Sequence, residues 1–231
     1  MKTIGMIGGM SWESTLGYYR EINQGIKARL GGLHSAKIVL NSVDFDPIEK
    51  LQREGDWQGA ADILCDAARS VEAGGADCVL ICTNTMHKVA AEVEQSVGIP
   101  LLHIADATAE VLLRDGIRNV GLLGTAFTME QAFYKDRLSS QYGLEVVVPN
   151  EAGRKEVHDI IYNELCLGVI NANSRDVYLR ILAELVEDGA EAVILGCTEI
   201  GMLINQAHTE TPLYDTTAIH AAKAVDWATS S

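Results

Sequence analysis

Two segments of the chain superpose on each other. GADCVLICTNT runs from residue 75 to 85 and GAEAVILGCTE from 189 to 199. Aligned from the leading glycine, Cys197 falls on Thr83, so one copy ends in a thiol and the other in a hydroxyl. A thiol titrates ordinarily at about 8.5 and a helix N-terminus can lower it, which suits general acid–base work near neutral pH. A threonine hydroxyl needs a neighbouring base before it can do the same. Asn84, Thr85 and Thr198 precede expected helices, where backbone N–H groups and side-chain donors together hold a carboxylate. Glu199 can orient an ammonium group or accept a proton, and His87 and His220 are candidate auxiliaries.

The elements that must carry these residues repeat. TIGMIGG at 3 to 9 matches NVGLLGT at 119 to 125, and IPLLHIADATA at 99 to 109 matches TPLYDTTAIHA at 211 to 221. Three matches in one order at nearly one spacing indicate a duplicated unit. TIGMI, AKIVLNSV and DCVLIC read as strands in the first copy, and NVGLL, LEVVV and EAVILG in the second. Their continuous apolar character fits parallel sheets covered on both faces. Between them lie helical periods: SWESTLGYYREINQGIKARLGG at 11 to 32 with polar start residues and Gly31 and Gly32 at its end, 58 to 73 with Ile63, Leu64, Ala67, Ala68 and Val71 on one side, and 176 to 188 with Val177, Ile181, Leu182 and Leu185. Thr128 and Gln131 have the spacing of a capping box for a helix through Tyr134. The expected fold is α/β, with two pseudo-symmetric doubly wound domains of parallel sheet and the active site in the cleft between them. The expected domains are 1–98 plus 212–231, and 99–211.

In such sheets ligands bind beyond the carboxyl ends of the strands. Gly8-Gly9-Met10-Ser11, Thr83-Asn84-Thr85, Gly124-Thr125 and Cys197-Thr198-Glu199 all fall there. If the halves face each other, Thr83 and Cys197 approach a ligand from opposite sides. Inverting a carbon centre needs that arrangement, since a proton leaves one face and another arrives at the other.

Composition narrows the class. The chain has 231 residues, is 48% hydrophobic and carries a net charge of -14. A basic nucleic-acid face is therefore excluded, as is attraction to an anionic membrane. No apolar run has the length of a membrane span, and MKTIGMIGGMS reads as a strand start without a signal core. A cytoplasmic protein is expected. The 5 cysteines are odd in number and contain no CxxC pair, which argues against a disulfide framework, a zinc site or a redox pair. Cys65, Cys78 and Cys82 read as small buried hydrophobes, and His103 and His158 as surface or satisfied core residues. GMIGGMS is no GxGxxG fingerprint and reads as close backbone approach.

GMIGGMSWEST, CTNTMH, LLGT and GCTEI, spread over nearly the whole chain, resemble the aspartate/glutamate racemase family. The similarity is greatest to its L-aspartate/glutamate-specific or broad-specificity branch. The resemblance implies a cofactor-independent isomerase that uses two cysteines on opposite faces of the substrate Cα, without pyridoxal phosphate. Cys197 matches the second catalytic cysteine, which handles the L-enantiomer. Thr83 stands where the family has its first, and strand alternation turns Cys82 to the opposite face. Asn84, Thr85, Thr125, Thr198 and Met10 match positions around the substrate carboxylates. Cys166 stands near a lysine that some aspartate racemases direct at the distal carboxylate; Gln52 or Arg53, in the expected loop LQREGDW, are candidates to compensate. The expected function is racemisation of aspartate or glutamate, biased to the L-form. The expected partner is a small amino acid substrate, with room for a homodimer. The alternatives are a single-cysteine decarboxylase of malonate-type acids and a non-catalytic small-acid-binding protein.

Overall fold

The computed structural model describes residues 1–230 and divides into two compact units. The first is Met1–Ile104 with the C-terminal segment from His220; the second is Ala105–Ile219. The sequence reading set the divisions after 98 and after 211; the contacts set them after 104 and after 219.

The first unit contains β1 (Ile4–Gly8), α1 (Trp12–Leu30), β2 (Ile38–Ser42), α2 (Phe45–Glu54), α3 (Trp57–Ala73), β3 (Cys78–Ile81), a 3-10 turn at Thr85–Val89 and α4 (Ala90–Gln95). Its sheet is parallel, in the order β2-β1-β3. Alternation along β3 separates two packed faces. Val79 and Ile81 meet Leu64, Ala68 and Val71 of α3, while Cys78, Leu80 and Cys82 meet Tyr18, Ile22 and Ile26 of α1. Both faces are dry, which is why the strand sequence shows no polar alternation.

The second unit contains α5 (Ile104–Arg114), β4 (Asn119–Gly124), α6 (Ala126–Glu130), α7 (Ala132–Asp136), β5 (Glu145–Val147), α8 (Glu151–Asn163), α9 (Ala172–Glu187), β6 (Ala192–Gly196), α10 (Ile200–Leu203) and β7 (Leu213–Asp215). α11 (Thr216–Thr229) then carries the chain back to the first unit. The sheet is parallel, ordered β5-β4-β6-β7.

The duplication extends to single hydrogen bonds. In the first unit Asp77 Oδ2 accepts from Thr3 N at 2.6 Å, and Asp77 N donates to Thr3 O at 2.8 Å. In the second, Glu191 Oε2 accepts from Asn119 N at 2.8 Å, and Glu191 N donates to Asn119 O at 2.9 Å. Val79 N donates to Pro100 O and Val193 N to Pro212 O, each at 2.9 Å. Leu101 makes only an isolated parallel bridge to Val79, whereas its counterpart Leu213 opens the strand β7. The sequence reading had only a Pro-Leu segment and a helix at this place.

Two local expectations are corrected. Thr128 caps nothing at Tyr134. It sits inside α6, whose N-cap is Thr125, and donates its own N–H to the Thr125 hydroxyl. The helix through Tyr134 starts after Gln131 without a side-chain cap. Gln52 and Arg53 are not in a loop; they close α2, which ends at Gly55 in the left-handed region. The buried stripe of α9 keeps Ile181, Leu182 and Leu185 as expected and adds Ser174 and Tyr178, while Val177 is half-buried beside it.

Gly9, after β1, has φ +95, and a Cβ there would lie 2.1 Å from Val43 O. A methyl group on the helical Gly17 would meet nothing within 4 Å. Urea unfolding should therefore show Gly9→Ala destabilised by more than ~2 kcal/mol. Gly17→Ala should be stabilised by roughly 0.5–1 kcal/mol through helix propensity and unfolded-state entropy. Equal effects would contradict this account of the β1 turn.

Candidate active site

In the second unit, parallel pairing aligns Gly124 with Gly196 at the carboxyl ends of β4 and β6. A Cβ on Gly124 would lie 2.9 Å from Gly196 O, so the two strands end in close backbone contact. The next residue on each is Thr125 and Cys197. Thr125 turns back as the α6 cap, its hydroxyl 3.2 Å from that of Thr128. Cys197 is buried, and its Sγ donates to Glu199 Oε2 at 2.9 Å. The Thr198 hydroxyl donates to the same oxygen at 2.9 Å. A carboxylate this deeply buried requires such donors, because an unsolvated charge is costly.

Electrostatics define the resting state of the thiol. Burial raises the Cys197 pKa well above its ordinary value, and the charges of Glu199 and Cys166 and the bond to Glu199 raise it further. A hydrogen bond from the Glu199 amide opposes them. Cys197 therefore rests as a protonated thiol, with an acceptor for its proton and an amide donor for the thiolate already in place. Cys166 lies in the 3-10 turn Leu165–Leu167 after α8. Tyr178, on α9, is fully buried, and its hydroxyl donates to Val157 O at 3.2 Å. Burial pushes its phenol up, followed by the charges at Cys197, Cys166 and Glu199. Its only sequence signal was its place one turn before Ile181 and Leu182.

In the first unit, Thr83, Asn84 and Thr85 follow β3 directly, with Thr83 half-buried and the other two buried. His87 Nδ1 donates to Thr83 O at 2.7 Å. Gln52 is buried and donates to Met86 Sδ at 3.0 Å, so the helix end carrying it is tied to the same segment. Met10 packs into the core with Ile48 and Met86. Cys82 is fully buried on the α1 side of the sheet, and burial drives its thiol far up. Among the described residues no group of three or more His, Cys, Asp or Glu is placed to hold a metal, and no helix is long and apolar enough to cross a membrane.

The strand ends, the thiol and its carboxylate can be set against known proteins. The family model described as Asp/Glu/Hydantoin racemase matches residues 7–224. The chain belongs to this family. The description is of racemases, and the chain is accordingly an isomerase. A crystal structure from Yersinia pestis assigned to the Asp/Glu racemases is 55% identical, with a TM-score of 0.92 over 100% of both chains. An aspartate racemase homologue from Pyrococcus horikoshii is 36% identical, with a TM-score of 0.85 and 100% of both chains covered. The broad specificity amino-acid racemase RacX of Bacillus subtilis is 26% identical over 165 residues, 70% of this chain and 69% of that protein.

Because Glu199 acts on Cys197 both through its charge and as a hydrogen-bond acceptor, Glu199→Gln should lower the thiol pKa without abolishing the effect of burial. Iodoacetamide labelling against pH, read peptide by peptide by mass spectrometry, should show Cys197 labelling at lower pH in the variant. An unchanged profile would mean that burial alone sets this thiol.

Proposed function

We propose that this chain is a cofactor-independent racemase of aspartate or glutamate, with Cys197 and Thr83 in the two acid–base positions and a bias towards the L-enantiomer. The observation that carries the reading is the hydrogen bond from Cys197 Sγ to Glu199 at the end of β6, in a chain whose duplicate copy has Thr83 as the equivalent residue. The relatives, an Asp/Glu racemase and an aspartate racemase homologue among them, support an acidic substrate.

In this scheme Glu199 takes the thiol proton, and its amide steadies the resulting thiolate. The thiolate removes the α-proton of an L-amino acid: the Cα–H bond breaks, an S–H bond forms and its electron pair stays on the substrate. Donors on the α-carboxylate stabilise that charge, with Asn84, Thr85, Thr125 and Thr198 proposed for the role, and the substrate ammonium stays charged. Water held by Thr83 supplies a proton to the other face, and the proton on Glu199 neutralises the hydroxide left behind. The cycle closes with atoms and charge balanced. In the reverse direction a D-amino acid meets a hydroxyl without a strong base, which makes that direction slow. Gln52 and Cys166 are proposed near the side-chain carboxylate, and the backbone at Met10 near the substrate, since the Met10 side chain is core.

Chiral chromatography of aspartate and glutamate incubations tests this. Cys197→Ala should lower conversion by at least ~100-fold, the usual worth of a positioned acid–base group. Thr83→Cys should raise turnover of the D-forms at least tenfold. A folded Thr83→Cys variant with unchanged D-turnover would contradict the role of Thr83. Release of CO₂ from an arylmalonate, without racemisation by the wild type, would replace the reading with a decarboxylase.

A further inference from the structure

Proton transfer in the proposed scheme leaves a group of buried histidines in the first unit unused. His87 and His103 have ring centroids 4.5 Å apart, and His87 and His220 are 6.0 Å apart. All are buried.

The hydrogen bonds of His87 and His220 settle the tautomers of those two rings. A carbonyl oxygen only accepts, so His87 Nδ1 carries the proton donated to Thr83 O. Its Nε2 is then the lone-pair nitrogen, and it accepts from Ile104 N at 3.2 Å. By the same reasoning His220 donates from Nε2 to Leu102 O at 2.7 Å and accepts from the Tyr18 hydroxyl at Nδ1, at 2.8 Å. Burial pushes the His220 ring down to about 4, so it is neutral at ordinary pH, as this pattern requires.

These bonds fix backbone at a chosen place. The Thr83–Asn84 peptide is trans and planar, so its carbonyl and its N–H point in opposite directions. Holding the carbonyl on His87 therefore sets the direction of the Asn84 N–H and the root of the Thr83 side chain. The other end of the same ring holds Ile104, the last residue before the chain leaves the first unit, and His220 is the residue at which the chain returns. His220 and Tyr18 hold Leu102, which precedes Ile104 by two residues.

We propose that His87 is a positioning residue for the reaction: its imidazole fixes the rotation of the Thr83–Asn84 peptide against the Leu102–Ile104 segment, so that the Asn84 amide and the Thr83 hydroxyl are presented to the substrate in one orientation. This rests on the reading of Thr83 and Asn84 as substrate-facing residues. The histidine touches no reacting atom and works through the peptide it holds.

The test compares the full-length wild type with His87→Ala and His87→Asn, using amide hydrogen exchange by mass spectrometry and steady-state kinetics with L-aspartate and L-glutamate. An asparagine amide nitrogen can take the place of Nδ1 and restore the bond to Thr83 O, while lacking the ring. In His87→Ala, peptides covering residues 83 to 86 should exchange up to about tenfold faster, the scale of one net hydrogen bond. Exchange in β1 and β4 should be unchanged. KM should rise by about the same factor and more than kcat falls, and His87→Asn should recover most of both. Exchange and KM within twofold of wild type in the alanine variant would overturn the proposal. So would faster exchange throughout β1 and β3 without rescue by asparagine, which would make His87 a general stabiliser. If the wild type turns over neither acid, the functional reading falls, and hydrogen exchange alone still decides whether His87 sets this peptide.

Discussion

Parallel pairing of β4 with β6, in the register Gly124 to Gly196, places Thr125 and Cys197 at the same level at the sheet's carboxyl edge. Two facing glycines permit that approach, since a Cβ on Gly196 would lie 2.9 Å from Leu123 O. Shifting the register by one residue would turn every side chain of β6 to the wrong face. Ala192 to Leu195 would then leave the packing that their continuous burial provides. The dry sheet interior thus enforces the site geometry, and the reactive residues themselves contribute little to the choice. The first unit repeats the device, with β1 pairing β3 from Ile4↔Cys78 to Ile7↔Ile81 and Thr83 two residues further on.

A thiol and a carboxylate sharing one proton in a buried setting is a costly arrangement for a structural role alone. Apolar residues of similar volume would pack at least as well there. In the proposed scheme the pair provides a proton path. Cys197 Sγ donates to the Glu199 carboxylate, and the Glu199 amide donates back to the sulfur. The duplicate position retains a hydroxyl with no such partner in its motif, since CTNT has asparagine where GCTE has threonine and threonine where it has glutamate. The asymmetry of the two motifs is the physical root of the proposed enantiomer bias.

Much of this was legible in the sequence. The strands were readable because they are buried on both faces, so their apolar runs are unbroken. The repeat was readable because both copies keep the same strand-end devices, down to the Asp77 and Glu191 bonds. Cys197, Thr198 and Glu199 stood out as candidates because the end of β6 is also where the repeat departs from its first copy. The misses share a cause, which is dependence on angles that spacing does not encode. Thr128 and Gln131 have capping-box spacing, yet Thr125 lies one turn earlier with extended backbone and takes the cap. Tyr178 hides in a helix stripe because burial of one hydroxyl against the Val157 carbonyl leaves no periodic trace. The histidines are scattered from 87 to 220, and His220 joins the other two only because α11 returns to the first unit.

The account turns on a single base serving one enantiomer. The most direct measurement is proton NMR of the wild-type chain in D₂O with the L- and D-forms of aspartate and glutamate, following loss of the Cα proton signal before product accumulates. The account predicts exchange of the α-proton from an L-form at least tenfold faster than from the matching D-form. Equal exchange from both forms would contradict it, because a single thiol at Cys197 could not then be the source of the asymmetry.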